Sequence, residues 1–409
     1  MTPDDAYRDA LAWFQANWDP QLPLGRWWQR LADSGWGFPT WPQQWFGRGL
    51  DHAAAKGVSR ARREVGAFGA PLGIATMMVG PTLMEVGSAA QQERYLPGIA
   101  NGSEIWCQLF SEPGAGSDLA GVQTRAVRDG DEWIVNGQKV WTSGGHYASR
   151  AILVARTNPD VPKHRGLSFF LIDMDQPGVD ARPLRQMTGD AEFNEVFLTD
   201  ARVRHEDLVG ELGGGWAVAL RLLNHERESL DADADGSGIM GDLDLAAPAG
   251  SFVGPDGRSL DDGTGPISMA QGQGAAELLT TLVARAGRAA DPVTRQRLAD
   301  LHSRIRIAGY AGGSMPASAG KLASVTLMRG VRDTALELLG PDGMLHGTDA
   351  PLDGAVTEMA LWTPGLSIAG GTDEVQRNIL GERELGLPPE PRVDKDIPFK
   401  DLKQPSIRG

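Results

Sequence analysis

LFSEPGAGSD (residues 109–118) is the stretch of sequence that decides the fold, together with VWTSGG (residues 140–145) further along the chain. The glycines and the proline of the first stretch predict a tight loop, which alone is a weak signal because turns need glycine for positive φ whatever their function. The second stretch adds an indole and two hydroxyl groups after a β-rich segment. Together the two loops predict a binding site with hydroxyl groups, backbone N–H donors and an aromatic wall.

The sequence changes character twice around these loops, which predicts three domains and an α+β fold. Helical periodicity dominates before the loops and returns well after them, whereas β-rich runs between and beyond them predict strands. The predicted parts are an N-terminal helical domain at 1–105, a middle β-barrel or β-sheet domain at 106–208, a C-terminal helical bundle at 209–388 with a loop-rich insertion at 231–272, and a tail at 389–409.

The segment EWIVNGQKVWTS (132–143) contains the dipeptide Asn136-Gly137 between two β-rich runs. Asn-Gly is favoured in two-residue hairpin turns because both central positions need positive φ. We therefore expect a β-hairpin that turns at this dipeptide.

The composition disfavours several classes of protein. The net charge of −14 argues against nucleic acid or an anionic membrane as the main partner, because the electrostatic term would be repulsive overall. No apolar run is long enough to predict a membrane span, and the acidic N-terminus does not resemble a signal peptide. The single cysteine, Cys107, excludes an internal disulfide and predicts a cytoplasmic location. The acidic run at 231–242 is interpreted as a solvated loop, so no metal is expected.

The donors and the indole of the two loops are what a flavin ring requires at its polar edge, its hydride-accepting nitrogen and its face. The two loops resemble the flavin-binding signature of the acyl-CoA dehydrogenase family, and GGTDEVQRNILGERELGLP (370–388) resembles its C-terminal signature. The resemblance implies FAD as the cofactor, an acyl-CoA thioester as the substrate, α,β-dehydrogenation as the reaction and an electron-transfer flavoprotein as the electron acceptor.

The resemblance also implies roles for individual residues. Ser111 corresponds to the residue whose hydroxyl binds the pyrimidine edge of the flavin, Ser143 to the one that faces the hydride-accepting nitrogen, and Trp141 to the aromatic wall. Outside this context, Trp141 is equally a core residue and Ser143 a turn hydroxyl. The remaining correspondences are Thr372, Phe110, Gly116, Ser117 and Glu374 as cofactor-binding residues, with Ser117 also at the acyl-CoA entrance.

The catalytic base departs from the commoner pattern of the family. Members similar to the short- and medium-chain enzymes carry a glutamate just before Gly-Thr in the C-terminal signature, where this chain has Gly370. A second known position for the base precedes an arginine on the first helix after the β-domain, and it corresponds to Glu226, followed by Arg227. The resemblance therefore implies Glu226 as the base, and we expect Arg227 beside it to contact the substrate.

Helical periodicity supports Glu226 independently. It lies three residues after Leu223 and seven after Ala219, on the apolar side of the predicted helix. A carboxylate in an apolar wall has a raised pKa, which suits a base that works near neutrality. The alternative is a salt bridge at the rim with Arg227 or His225.

Gly370 has two interpretations. Its backbone N–H is expected to hold the thioester oxygen, with a flavin ribityl hydroxyl as the second donor, while its missing side chain leaves space for Glu226. The plainer interpretation is a turn glycine.

The segments that cover the adenosine half of the cofactor in homotetrameric members are degraded in this chain. Those members use an R-x-x-F-G segment and a Q-x-x-G-G-x-G segment from a neighbouring subunit. Here ARAGRAADP (284–292) and Glu337–Gly343 stand in their places, and the acid Glu337 is expected to repel the pyrophosphate. The pattern is similar to one chain of the heteromeric actinobacterial acyl-CoA dehydrogenases that shorten sterol side chains, which implies a heterotetramer with a second acyl-CoA dehydrogenase-like chain.

Three functions stay open at this level. The chain is a catalytic dehydrogenase subunit, a non-catalytic stabilising subunit, or a nucleic-acid-associated flavoprotein of the same fold, and the acidic balance disfavours the last. An acyl-CoA oxidase is a close variant of the first. A sterol side chain or another bulky acyl group is preferred as the substrate, on family similarity alone.

Overall fold

The computed structural model describes residues 1–231, 242–254, 272–311, 315–391 and 394–402. Helices occupy both ends of the chain and a mixed sheet lies between them, which confirms the predicted α+β fold. Among the described residues, no helix is both long enough and apolar enough to cross a membrane.

The N-terminal part is helical and is built around buried tryptophans. The indole N–H groups of Trp27 and Trp28 donate to the carbonyl oxygens of Phe68 and Gly69, both at 2.8 Å, which satisfies two donors inside an apolar core. The helices are α1 (Pro3–Asn17), α2 (Leu24–Ser34), α3 (His52–Val65), α4 (Gly80–Val86) and α5 (Ala89–Ala100), with a π-helical turn at Ala75–Val79 before α4.

The middle part is one sheet of eight strands. Its order is β6-β7-β3-β2-β4-β5-β8, and β1 pairs with β4 outside this path. The β1–β4 and β2–β4 pairs are parallel and the other pairs are antiparallel. The strands are β1 (Trp106–Leu109), β2 (Arg125–Asp129), β3 (Glu132–Ser143), β4 (Arg150–Arg156), β5 (Leu167–Asp173), β6 (Val179–Pro183), β7 (Phe193–Arg204) and β8 (Leu208–Val209).

The prediction of a hairpin turn at Asn136-Gly137 is wrong. Strand β3 runs through this dipeptide, and the tight turn joins β2 to β3 at Gly130, which has a φ of 59°. The register of β3 against β7 shifts between Val135 and Gly137. A Cβ on Gly137 would lie 2.2 Å from Thr124 Oγ1, so this glycine permits the close approach of the residue before β2 and does not make a turn.

The C-terminal part is helical again. The first residue of helix α6, Gly215, packs against the backbone of β5. A Cβ on Gly215 would lie 2.4 Å from the Ser168 carbonyl carbon. Helix α6 also packs against α4. The later helices share a separate core in which Leu282, Val331 and Val356 are buried. The helices are α6 (Gly215–Asp231), α7 (Gly272–Arg285), α8 (Pro292–Ala311), α9 (Ala317–Leu339), α10 (Ala355–Leu366) and α11 (Asp373–Ile379).

Most of the insertion predicted at 231–272, including most of its acidic run, lies outside the described residues. The described piece at 242–254 packs on the N-terminal helices. The Leu24 N–H donates to the Ala247 carbonyl at 2.9 Å, and the Ala249 N–H donates to the Leu22 carbonyl at 2.8 Å. Ala249 is fully buried by this contact. This piece of the insertion is therefore part of the N-terminal core.

Candidate active site

The loop at 109–118 lies against the end of β3, so the structure brings the two quoted stretches together. The Val140 N–H donates to the Ser111 carbonyl oxygen at 2.9 Å. Glu112 and Ala115 exchange backbone hydrogen bonds of 3.0 Å, which close the predicted tight turn. Ser111 is half-buried at the start of that turn. We call residues 109–118 the β-domain loop.

A buried lysine holds the β-domain loop from behind. The Lys139 side chain has no solvent exposure, and its ammonium donates to the Phe110 carbonyl, the Val154 carbonyl and Glu112 Oε1, each at 2.9 Å. These bonds use all three N–H groups of the ammonium. Phe110 is itself buried, with its ring edge-to-face on Phe169 at 5.9 Å between centroids. The loop is thus fixed to β3 and β4.

Glu112 is the acidic partner of this lysine. Its carboxylate also accepts the backbone N–H groups of Gln123 at 2.6 Å and Thr124 at 2.9 Å. Burial alone would raise the pKa of Glu112, but the Lys139 ammonium and these hydrogen bonds hold the pKa below its ordinary value. Burial lowers the pKa of Lys139, and the attraction of Glu112 offsets only part of that change. The two groups therefore form a charged pair inside the domain at neutral pH.

Trp141, the expected aromatic wall, has a strained backbone at the end of β3. Its φ is 62°, which is rare for a bulky residue, and the register against β7 shifts between Lys139 and Thr142. The side chain is 62% exposed, and its ring meets Phe193 edge-to-face at 6.0 Å. Exposure excludes the core interpretation of Trp141. A strained, exposed aromatic residue is typical of a binding site.

Asn194 fixes the end of β3 next to this tryptophan. It is fully buried, and its Nδ2 donates to the Thr142 carbonyl oxygen at 3.0 Å. The Thr142 hydroxyl is buried without a hydrogen-bond partner among the described residues. Ser143 follows, half-buried, where the strand ends. The strand end is therefore held through its backbone, which leaves Ser143 at the edge of the site.

Gly116 and Ser117 form the open side of the β-domain loop. Both are exposed, and a Cβ added to Gly116 would meet nothing within 4 Å. The next residue, Asp118, pairs with Lys163 at 2.9 Å and anchors the end of the loop. The loop therefore presents a free surface at the two positions expected to contact cofactor and substrate.

Glu226 lies three turns into α6, about 16 Å along the helix from Gly215. The buried side of α6 consists of Val218, Ala219 and Leu222, with Glu226 one turn beyond Leu222. Glu226 itself is half-buried. The carboxylate therefore stands at the edge of an apolar face, as the periodicity of the sequence predicted.

The neighbours of Glu226 attach α6 to α4. His225 Nε2 lies 3.4 Å from Glu85 Oε2, and Arg221 pairs with the same carboxylate. The Arg227 side chain lies outside the described part of the structure, so its expected substrate contact stays a prediction.

Gly370 faces this carboxylate. Glu226 Oε1 lies 3.8 Å from the position that a Cβ on Gly370 would take. The φ of Gly370 is 63° and that of Gly371 is 86°, so both residues use backbone conformations that favour glycine. Among the described residues, neither glycine donates its backbone N–H to an intramolecular acceptor. The structure thus brings Glu226 and Gly370 together and leaves an N–H donor beside them.

The residues after these glycines begin α11. The Thr372 hydroxyl caps the helix by accepting the Val375 N–H at 3.2 Å. Glu374 is exposed and lies 3.5 Å from Arg377 on the same helix. Both were expected to contact the cofactor. The capping bond leaves the Thr372 hydroxyl able to donate, and Glu374 points to solvent.

The residues present fit a flavin. The β-domain loop and the end of β3 offer half-buried hydroxyl groups on Ser111 and Ser143 beside the exposed indole of Trp141, next to an open glycine surface at Gly116. These are the donors and the aromatic wall that an isoalloxazine ring requires. Phe169 on β5 links this group to α6, because Phe110 packs on its ring and α6 starts on the backbone of β5.

The residues that support the site were not among those predicted from the sequence. They are Lys139 and Glu112 behind the β-domain loop, Asn194 at the end of β3, and Gln376 and Lys321 behind the two glycines. Glu112 and Lys139 are 27 residues apart, and no local pattern links them. A lysine within an otherwise β-rich run was the only available signal.

Glu337 does not present an unopposed negative charge, contrary to the expectation from the sequence. It lies 3.3 Å from Arg288 and also pairs with Arg297. Arg288 also pairs with Asp291 at 3.0 Å, so two arginines and two carboxylates balance one another here. Arg288 belongs to the segment at 284–292 that replaces the R-x-x-F-G segment. Repulsion of a pyrophosphate at this place no longer follows.

Three family models match the chain in the order of its three parts. The models described as acyl-CoA dehydrogenase N-terminal, middle and C-terminal domains match residues 5–103, 107–201 and 267–385. The chain belongs to the acyl-CoA dehydrogenase family. It is an oxidoreductase that acts on CH–CH groups.

Curated relatives extend this similarity over most of the chain. Acyl-CoA dehydrogenase IpdE1 of Mycobacterium tuberculosis is 38% identical over 89% of this chain and 88% of its own. Acyl-CoA dehydrogenase FadE34 of the same organism is 36% identical over 88% of this chain and 45% of its own.

Two solved structures are similar at 26% identity. A variant of the Tcur3481-Tcur3483 steroid acyl-CoA dehydrogenase has a TM-score of 0.70 over 95% of this chain and 99% of its own. The ChsE4-ChsE5 complex of Mycobacterium tuberculosis has a TM-score of 0.67 over 95% of this chain and 98% of its own. Each of these names joins two different chains.

Proposed function

We propose that this chain is a catalytic subunit that removes the α-proton and the β-hydride of an acyl-CoA thioester with the help of FAD. The observation that carries the proposal is the approach of Glu226 Oε1 to within 3.8 Å of the side-chain position of Gly370. The family resemblance implies a base at either position, and here the carboxylate that lies beside Gly370 comes from α6.

Each residue has a separate task in this proposal. The Glu226 carboxylate takes the α-proton, and its half-buried place on α6 keeps it close to the glycine pair. The Gly370 N–H, which is free of intramolecular acceptors among the described residues, binds the thioester oxygen where negative charge develops. When bound, FAD supplies the acceptor for the β-hydride.

The base is tested by Glu226→Gln, compared with Glu211→Gln, which removes an exposed carboxylate just before α6. Loss of a positioned base lowers kcat by at least about 100-fold, whereas the control keeps wild-type turnover. Bound flavin is read from its absorbance in both variants and is unchanged. A Glu226→Gln enzyme that keeps more than about a tenth of the turnover would move the base elsewhere.

In this proposal FAD is bound by Ser111, Trp141, Ser143 and Thr372, together with Phe110, Gly116, Ser117 and Glu374. Mass spectrometry of the cofactor released from the assembled enzyme is expected to give FAD. Release of FMN, or of no flavin, would contradict the assignment. Reduction of the bound flavin by acyl-CoA without oxygen separates a catalytic subunit from a stabilising one.

We further propose a bulky steroid-type acyl group as the substrate and a second, different acyl-CoA dehydrogenase-like chain as the partner. The names of the similar structures support both proposals, since one is called a steroid enzyme and the other a complex of two chains. Exposed apolar side chains in the C-terminal part of the chain also favour a partner. They include Ile307, Tyr310, Met344, Ile368, Leu385 and Leu387.

The assembly is tested by co-purification, light scattering and the ratio of flavin to protein. The expected result is a heterotetramer that contains two different chains and one FAD for each unlike pair. A stable and fully active homotetramer would contradict it. An electron-transfer flavoprotein is the proposed acceptor, and rapid peroxide formation would instead indicate an oxidase.

A further inference from the structure

Two side chains hold the glycine pair through its carbonyl groups. Gln376 Nε2 donates to the Gly370 carbonyl oxygen at 2.6 Å, and Lys321 Nζ donates to the Gly371 carbonyl oxygen at 2.8 Å. Gln376 is 1% exposed and the Lys321 side chain is 15% exposed. Hydrogen bonds at such depth are stronger and better defined than at the surface. We call residues 367–373 the glycine loop.

The two glycines of the glycine loop cannot be held in place by side chains of their own. Gly370 and Gly371 have no side chains to pack, and glycine has the largest backbone freedom of any residue. A Cβ on Gly371 would lie 2.8 Å from Gln376 Nε2, so the Gln376 amide occupies the space that another residue would fill. The hydrogen bonds to the two carbonyl oxygens therefore hold the backbone of Gly370 and Gly371 in place.

Lys321 is itself held by a buried acid. Its Nζ lies 3.2 Å from Asp373 Oδ1, while Arg329 Nη2 donates to Asp373 Oδ2 at 2.8 Å. The Asp373 side chain is only 6% exposed, and its backbone N–H donates to the Ser367 carbonyl at 3.0 Å. The donor to Gly371 thus belongs to a network that closes the loop at both ends.

We propose that Gln376 and Lys321 are positioning residues for the reaction. By fixing the carbonyl groups of the glycine pair, they set where the Gly370 N–H stands and how far it lies from the Glu226 carboxylate. The inference rests on the proposed roles of Gly370 and Glu226. A displaced donor loses stabilisation as charge develops on the thioester oxygen, so kcat falls while KM changes little.

The test uses the assembled, FAD-loaded enzyme. Gln376→Glu replaces the donor with a carboxylate oxygen in a side chain of nearly the same shape, and Lys321→Met removes the ammonium from a chain of similar length. Arg304→Met is the control, because it breaks an exposed pair with Asp300 on α8. Unfolding curves and flavin content show that each variant is folded, and Lys321→Arg tests whether a conservative change restores function.

Two activities are measured. One is turnover of an acyl-CoA substrate, and the other is exchange of the α-protons of acetyl-CoA in D₂O, followed by mass spectrometry. Acetyl-CoA has no β-carbon, so exchange reports proton removal without hydride transfer. Gln376→Glu and Lys321→Met are expected to lower kcat and exchange by the same factor, about 10- to 100-fold, with KM within about threefold, and Lys321→Arg recovers part of both.

The outcomes separate the two proposals. If Glu226→Gln loses exchange while Gln376→Glu and Lys321→Met keep it, the base stands and the positioning role is wrong. If Glu226→Gln keeps full exchange, the proposed base itself is wrong. A fall in kcat without a fall in exchange would also overturn the positioning role, because the two residues would then act on another step.

Discussion

In both the β-domain loop and the glycine loop, a lysine joins backbone carbonyl groups to a buried carboxylate, but the two lysines lie at different depths. In the β-domain loop, Lys139 joins the carbonyls of Phe110 and Val154 to the carboxylate of Glu112, and the lysine side chain is 0% exposed. In the glycine loop, Lys321 joins the carbonyl of Gly371 to a buried aspartate and is 15% exposed. The lysine that holds the first loop therefore lies in the core of its domain, whereas the lysine that holds the second lies nearer the surface.

The largest effect is expected from breaking the deeper pair. Lys139→Met leaves Glu112 buried without its cation, which costs about 3–5 kcal/mol of unfolding free energy. Lys321→Met costs only about 1–2 kcal/mol, because Arg329 still pairs with Asp373. Urea unfolding followed by circular dichroism measures both free energies. Equal losses would show that the two lysines are equivalent supports and that depth does not distinguish the loops.

The pH dependence of stability tests the contribution of Glu112, the carboxylate of the deeper pair. The folded-state pKa of Glu112 is lowered, so its contribution is fully present above the unfolded value of about 4.3 and is lost as pH falls through the folded value. In Glu112→Gln this group no longer titrates. The variant is less stable than the wild type at pH 7, and its unfolding free energy falls less steeply below about pH 4.

Guanidine unfolding at a series of acid pH values tests this expectation, with Asp300→Asn as a control that removes an exposed carboxylate of α8. The control is expected to keep the wild-type slope. A Glu112→Gln variant with an unchanged acid slope would mean that other carboxylates dominate acid unfolding.

The order of the three parts and the place of Glu226 could be predicted because both depend on periodicity and local motifs. Alternation and helical spacing are local properties, and the sheet and α6 follow them. The prediction of a turn at Asn136-Gly137 was wrong because a glycine is needed both in a tight turn and where another segment approaches the backbone closely. Pairing with β7 and the approach of Thr124 decided between them, and both partners are remote in sequence.

The supports of the site could not be predicted for the same reason. Lysine is rarely buried, so Lys139 is expected at the surface, and the acceptors that permit its burial, on Phe110, Glu112 and Val154, lie 15 to 29 residues away in sequence. Gln376 lies six residues after Gly370, yet its bond to that carbonyl depends on the turn between them. Sequence therefore predicted the groups proposed to react and left out the groups that position them.

The smallest effect is expected from two glycine substitutions, one in each loop. Gly370→Ala places an alanine at φ 63°, where an L residue is strained by about 1–2 kcal/mol, and its methyl group would stand 3.8 Å from Glu226 Oε1, an ordinary contact. Gly116→Ala is the matched control in the β-domain loop, because its added Cβ meets nothing within 4 Å and its φ is not positive. Its unfolding free energy is expected to stay within about 0.5 kcal/mol of the wild type. Both values are measured on the flavin-free chain, so that cofactor binding does not contribute. A loss well above 2 kcal/mol for Gly370→Ala would mean that Glu226 presses on the glycine more closely than its distance implies, while no loss would mean that the glycine loop relaxes and is not held by its carbonyl bonds.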